Sequence, residues 1–329
     1  MKIPLAIKLI LSGVAAVAVA GGSLYAYSLY HTADAAVATV AKSGKLTDIL
    51  KAEALDGEST GRVNILIAGN STDDAGHSGA ELTDSLMVAS INVTTKKVSL
   101  ISIPRDLWVT YGGTNSKINA VYVAGGMNGL KSTVQEVTGL TINHTVLMNY
   151  GALKNMIDTV GGIDVTIDSD DPRGIYDPMI GFSVGNGVQH LDGTQALLLA
   201  RSRNDPTYDG RIAYGLPNGD FDRQAYQRKI ADALLTKITH STAIVNPTTL
   251  AKLVQSLQGN VTTDLSVGQI RRLYDLGTTS TLSLVSIRTD ATGGSLLADY
   301  TSYDGQSALL PAAGAGVYSG IQAYIVSQL

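Results

Sequence analysis

The stretch Ser102-Ile103-Pro104-Arg105-Asp106 closes an alternating run that starts at Val98, and its proline stops the strand so that Arg105 and Asp106 fall on the loop beyond. Upstream, Asp84 stands just before a second apolar run, 86–91. The short polar segment Asn92-Val93-Thr94-Thr95-Lys96-Lys97 between the two runs suits a hairpin. In an antiparallel hairpin the first residue of one strand neighbours the last residue of the other, so Asp84 and Arg105 are expected to meet at one sheet end. A carboxylate and a guanidinium on one rim suit a phosphate held through a metal on one side and by a bidentate cation on the other. The plainer alternative is a solvated ion pair of little worth.

Outward from this hairpin, 63–68 is a compact apolar strand. Helices at about 127–137 and 152–160 alternate with strands at 145–148 and 163–167. Such alternation indicates a layered α/β domain with helices on both faces, a three-layer α/β/α arrangement around a central mixed sheet. The segment 168–189 is rich in Gly, Pro and Asp and without periodicity, as functional or disordered loops are. Asp192 or Thr194 then caps a helix that runs to Arg201-Ser202-Arg203. Two arginines at a helix end either complement the dipole or serve a ligand.

At 100° per residue from Asp220, the side chains of Arg223, Gln227, Ile230, Leu234 and Ile238 fall on one helix face. A core-facing stripe that begins with three polar residues requires partners for them. They form either an internal ion pair with a glutamine cover or part of the pocket that Arg105 faces. Beyond residue 240, helices at 247–258 and 266–277, a strand at 282–287 and a final helix at 317–328 show no catalytic constellation.

A chain of 329 residues is long for one domain, yet its outer segments are too small for a second large core, so one main domain with appendages is expected. Charged residues make up 16% and the net charge is −4, which offers no basic surface for nucleic acid and argues against disorder. Cysteine is absent, which excludes disulfides, thiolate catalysis and cysteine-based zinc sites. The histidines at 31, 77, 144, 190 and 240 show no metal-ligand spacing. Gly57-Glu58-Ser59-Thr60-Gly61 matches a nucleophile-elbow pattern but precedes a strand where that elbow should follow one.

After Lys2 and Lys8, residues 9–30 carry no charge. At ~1.5 Å per residue this run spans about 33 Å of helix, enough for the ~30 Å hydrocarbon layer. The rival is a cleavable signal peptide ending at Ala18-Val19-Ala20, but the run continues past that site to Tyr25, Tyr27 and Tyr30, like an interfacial belt. The expected organisation is an anchor at 1–30, a stalk at 31–60, a catalytic domain at 61–240 and a packing extension at 241–329. The expected location is the cell membrane, single-pass, with the bulk of the chain outside.

Thr83-Asp84-Ser85, Ser102-Ile103-Pro104-Arg105-Asp106, Lys117-Ile118-Asn119-Ala120-Val121-Tyr122, Gly161-Gly162-Ile163, Leu191-Asp192-Gly193, Arg201-Ser202-Arg203 and Asp220-x-x-Arg223-x-x-x-Gln227, in this order and spacing, resemble the LytR-CpsA-Psr family. The resemblance covers about 61–240, and the preceding anchor fits it. It implies an enzyme that takes a glycopolymer from a polyprenyl pyrophosphate carrier and joins it by a phosphodiester to peptidoglycan. A hydrolase acting on the same lipid and a non-catalytic, membrane-anchored glycan-binding protein are the alternatives. By the resemblance, Asp84 helps to hold Mg²⁺, Arg105, Arg201, Arg203 and Arg223 bind pyrophosphate, and Gln227 accompanies them. Arg105, Asp84 and Arg223 are the implied catalytic residues, with Lys117, Asn119 and Asp220 as further candidates.

Three positions depart from the family's pattern. Leu82 stands where an arginine is frequent, and Tyr226 where another is common. The loop after the first strand offers Asp73 or Asp74 as a second metal carboxylate.

Overall fold

A computed structural model describes residues 51–74, 79–204, 211–240, 257–277, 281–289 and 292–329. The 9–30 anchor, most of the stalk and nearly all of the helix expected at 247–258 lie outside the described residues. In chain order the elements are β1 (Arg62–Gly69), β2 (Ser85–Asn92), β3 (Lys97–Ser102), β4 (Trp108–Tyr111), β5 (Thr114–Lys117), α1 (Val121–Thr138), β6 (His144–Met148), α2 (Tyr150–Thr159), β7 (Ile163–Ile167), β8 (Ile175–Asp177), β9 (Phe182–Val184) and β10 (Gly187–Leu191). There follow α3 (Gly193–Arg201), α4 (Asp220–His240), β11 (Val261–Thr263), α5 (Val267–Gly277), β12 (Thr281–Ser286), β13 (Leu297–Thr301), β14 (Ser307–Pro311) and α6 (Ser319–Gln328). This is a mixed α/β chain that divides into two compact units.

The first unit comprises 54–150, 261–265 and the described residues of 279–329. Its strands form a mixed sheet in the order β11-β6-β1-β2-β3-β12. The β1–β2, β2–β3 and β6–β11 pairs are antiparallel, and β1–β6 and β3–β12 are parallel. Central β1 and β2 are buried at every interior position, so their sequences read as continuous apolar runs without alternation. The polar exceptions there have partners: Asn64 Nδ2 donates to Thr141 O at 2.8 Å, and Ser90 Oγ accepts from Arg62 Nη1 at 2.9 Å. In the β2–β3 turn, Asn92 Oδ1 accepts the Thr94 and Thr95 N–H groups at 3.0 and 2.9 Å.

Both sheet edges, β11 and β12, come from the sequence beyond residue 240. So does the β13–β14 hairpin, whose Leu309 N–H donates to Asp106 O at 2.9 Å while the Tyr300 ring meets Trp108 at 5.6 Å. Helix α1 starts at Val121, six residues before the expected 127, because its backbone breaks at Gly126 and continues as helix on either side. There φ is 60° and ψ −162°, open to glycine alone. Helix α6 reaches α1 through Gln322 Nε2 to Glu136 O at 2.8 Å, and Lys97 Nζ donates to Gln328 O at 2.6 Å.

The Gly57-to-Gly61 segment forms a 3₁₀ turn at Glu58–Thr60 that leads into β1. No strand precedes it among the described residues, so a nucleophile elbow has no support there. Beside it, Asp56 N–H donates to His144 Nε2 at 3.1 Å, which leaves the His144 Nδ1–H facing Asp264 Oδ1 at 3.5 Å.

The second unit comprises the described residues of 1–53, 151–260 and 266–278. It holds the antiparallel pairs β7–β10 and β8–β9. The region 168–189, expected as irregular, contains β8, β9 and the start of β10; strands of three residues are too short to show a period. Of the two expected caps, Asp192 and Thr194, it is Asp192 that starts helix α3, in a capping box: its side chain accepts the Gln195 N–H while Gln195 Oε1 accepts the Asp192 N–H. Among the described residues no helix is long and apolar enough to cross a membrane.

Candidate functional site

In the sheet unit, three sequence segments converge at the end of the β2–β3 hairpin. The register pairs Met87 with Ser102, and continuing it by three residues sets Asp84 opposite Arg105. Arg105 Nη1 donates to Asp84 Oδ1 at 2.6 Å, and both side chains are about 15% exposed (15% and 16%). Asn119 Nδ2 donates to the same oxygen at 3.3 Å. The backbone fixes these positions: Asn119 N–H donates to Arg105 O at 3.2 Å, and the Thr83 N–H and Oγ1–H both reach Asn119 O, at 3.1 and 3.2 Å. Lys117 Nζ binds Asp106 Oδ1 at 2.8 Å, while Asp106 Oδ2 lies 3.6 Å from Arg105 Nε. Asp106, Lys117 and Asn119 thus orient the Arg105–Asp84 pair.

Mg²⁺ is commonly held by one or two carboxylates together with phosphate oxygens and water. Asp84, on the rim of the sheet, fits the use of a single protein carboxylate. Asp73 is exposed, and its Oδ1 accepts the Tyr150 N–H that opens α2, at 3.1 Å. Asp74 is partly buried beside it. Among the described residues, no three His, Asp or Glu side chains gather into a metal-holding group. A cation on Asp84 would therefore take most of its ligands from phosphate and water.

The other arginines lie in the second unit, at the C-terminus of α3 and the start of α4. Ser202 is fully buried and leaves the helix in extended backbone, with its Oγ bonded to Leu198 O at 2.9 Å. Its burial turns the chain so that Arg201 and Arg203 flank an inward residue. Gln227 Nε2 donates to Ala200 O at 3.0 Å, so it holds the helix end that carries Arg201. Arg223, 4% exposed, is ion-paired with Asp220, whose Oδ2 accepts from Gln224 Nε2 at 2.8 Å. The internal ion pair considered above is present, but its glutamine is Gln224. Of the apolar part of that stripe, Ile230 and Leu234 are buried.

Tyr226 is also buried. Its hydroxyl meets Asp168 at the end of β7, burial pushes the phenol up to about 12, and Lys229 Nζ sits 4.6 Å from the ring centroid. A bond from Lys229 holds the Asp168 carboxyl below the usual range. The tyrosine that replaces the family's common arginine therefore ties α4 to β7.

Two features of this unit have little signature in the sequence. Asp177, 3% exposed, accepts the Arg203 N–H on Oδ2 at 2.8 Å; an aspartate closing a short run before Pro178 was the available signal. Gly193 packs so closely that a Cβ would lie 2.2 Å from Lys154 O, and its N–H donates to Asp158 Oδ1 at 2.7 Å. The Leu191-Asp192-Gly193 motif is thus a packing device.

A family model described as the LytR_cpsA_psr family matches residues 24–308. A polyisoprenyl-teichoic acid–peptidoglycan teichoic acid transferase TagU of Enterococcus faecalis is 30% identical over 212 residues, 64% of each chain. A protein of the same name from Bacillus mycoides is 29% identical over 261 residues, 78% of this chain and 79% of the relative. A solved structure from Streptococcus agalactiae, 24% identical, superposes with a TM-score of 0.63 over 84% of this chain and 91% of that one, which shows a shared fold.

Proposed function

Because the chain belongs to the LytR-CpsA-Psr family, we propose that it is a transferase that moves a glycopolymer from a polyprenyl pyrophosphate carrier onto peptidoglycan during cell-wall assembly. The observation that carries this reading is the Arg105–Asp84 pair, fixed by Asn119 and flanked by Asp106 and Lys117. An acceptor hydroxyl attacks the glycan-side phosphorus; the bridging P–O bond breaks, polyprenyl monophosphate leaves with the hydroxyl's proton, and a glycan–phosphate–peptidoglycan diester remains. Negative charge grows on the bridging oxygen as it leaves, and catalysis consists mostly of placing fixed positive charge against it. Arg105 provides a planar fork for this and Asp84 sets its orientation; in the second unit, Arg201 and Arg203 are the cations we read as pyrophosphate ligands. Mg²⁺, bound through Asp84 and phosphate oxygens, would add a hard positive charge.

The reading extends to the whole chain: a three-layer α/β/α domain held outside the cell membrane by the 9–30 segment, so that the acceptor wall and the carrier lipid are both within reach. Teichoic acid, the polymer in the relatives' names, is the first donor to try. Purified protein is incubated with a lipid-pyrophosphate glycan, Mg²⁺ and peptidoglycan. Covalent polymer on peptidoglycan supports the transferase. Free polymer would identify a hydrolase, and unchanged donor a glycan-binding protein.

A further inference from the structure

Asp177 closes β8 with a buried carboxylate whose partners among the described residues are two backbone amides: Arg203 N–H on Oδ2 at 2.8 Å and Met179 N–H on Oδ1 at 3.1 Å. Burying a carboxyl group is unfavourable unless its oxygens are hydrogen-bonded, and here each oxygen has its own donor. An asparagine of the same shape would turn an NH₂ group towards one of the two amides. The position therefore requires two acceptors on one short side chain.

Strand β8 is itself anchored. Tyr176 and Tyr214 exchange both backbone hydrogen bonds at 3.0 Å, and their rings lie 5.4 Å apart. Ser169 Oγ donates to the Gly174 and Gly215 carbonyls at 2.9 and 3.0 Å. Residues 214–216 lead directly into α4, and Leu216 N–H returns to Asn204 Oδ1 at 3.1 Å, one residue past Arg203. The strand thus touches the segment that carries Arg203 and the segment that introduces the helix of Arg223.

We propose that Asp177 is a positioning residue for the donor: by holding the Arg203 backbone amide, it aims the Arg203 guanidinium at the pyrophosphate. The inference rests on the reading of Arg203 as a pyrophosphate ligand, and its test separates the two.

The affinity of the full chain for inorganic pyrophosphate is measured by calorimetry for the unmodified protein, Asp177→Asn, Arg203→Ala and the double variant, with melting temperatures alongside. The expected result is that Arg203→Ala weakens binding at least tenfold, that Asp177→Asn weakens it about as much, and that the double variant is no weaker than Arg203→Ala alone. Losses that multiply in the double variant, or full affinity in Asp177→Asn beside a weakened Arg203→Ala, would overturn the positioning role. Unchanged affinity in Arg203→Ala would overturn the pyrophosphate reading of Arg203, and the inference with it. Should Asp177→Asn not fold, hydrogen exchange in the unmodified protein decides: the Arg203 amide should be protected, and exchange at the rate of an open loop would remove the bond on which the inference stands.

Discussion

Arg105 Nη1 lies 2.6 Å from Asp84 Oδ1, on the line along which the β2–β3 register continues past its last paired residues. The contact is a consequence of hairpin geometry, and Asn119 reinforces it from a third segment.

Arg105→Lys should keep the charge and lose the planar fork. We expect kcat/KM for the lipid-linked donor to fall about 10²- to 10³-fold, the loss typical of a preorganised charge-stabilising donor. Circular dichroism and melting temperature should stay near those of the unmodified protein, because the side chain lies at the end of the sheet. Activity within a few-fold of the original would mean that any cation suffices there.

The sequence itself carries much of this arrangement. The runs at 63–68 and 86–91 are apolar except for Asn64 and Ser90 because the strands are buried on both faces, and the register that joins Asp84 to Arg105 follows from the position of Pro104. The hairpins β8–β9 and β13–β14 were not legible, because three to five residues carry no reliable period. Nor were the bonds of Gln227 to Ala200 and of Asp177 to Arg203, since a side chain that holds a distant backbone group leaves no pattern in its own neighbourhood. Tyr226 stands where the family commonly has an arginine, and its burial against Asp168 shows a structural use.

Gly193→Ala should destabilise the second unit. Its Cβ would meet the Lys154 carbonyl, a backbone atom that cannot rotate away. Overpacking of this kind costs about 1–3 kcal/mol, and a backbone neighbour puts the value towards the upper end. Thermal unfolding should show a melting temperature lowered by several degrees. An unshifted midpoint would mean that α3 moves away from α2 without cost.

Asp264 should make the sheet edge acid-sensitive. Burial alone would raise its carboxyl, but bonds from His144 and from Thr145 outweigh burial and hold it below the ordinary value. A group depressed in the folded state stabilises fully above its unfolded value, near 4, and loses that contribution as pH falls through the folded value. Melting temperature recorded from pH 6 down to pH 3 should fall more steeply for the unmodified protein than for Asp264→Asn. Parallel curves would show that the His144–Asp264 contact adds nothing that titrates.

Transfer with retention of one phosphate can be followed through the phosphorus atom itself. A donor labelled with ³²P at its glycan-side phosphate is incubated with the protein, Mg²⁺ and peptidoglycan, and the washed, solubilised wall is analysed. Label should appear in a phosphodiester between glycopolymer and peptidoglycan, with one unlabelled polyprenyl monophosphate released for each link formed. Label recovered as free glycan phosphate, or wall-bound glycan without label, would contradict it.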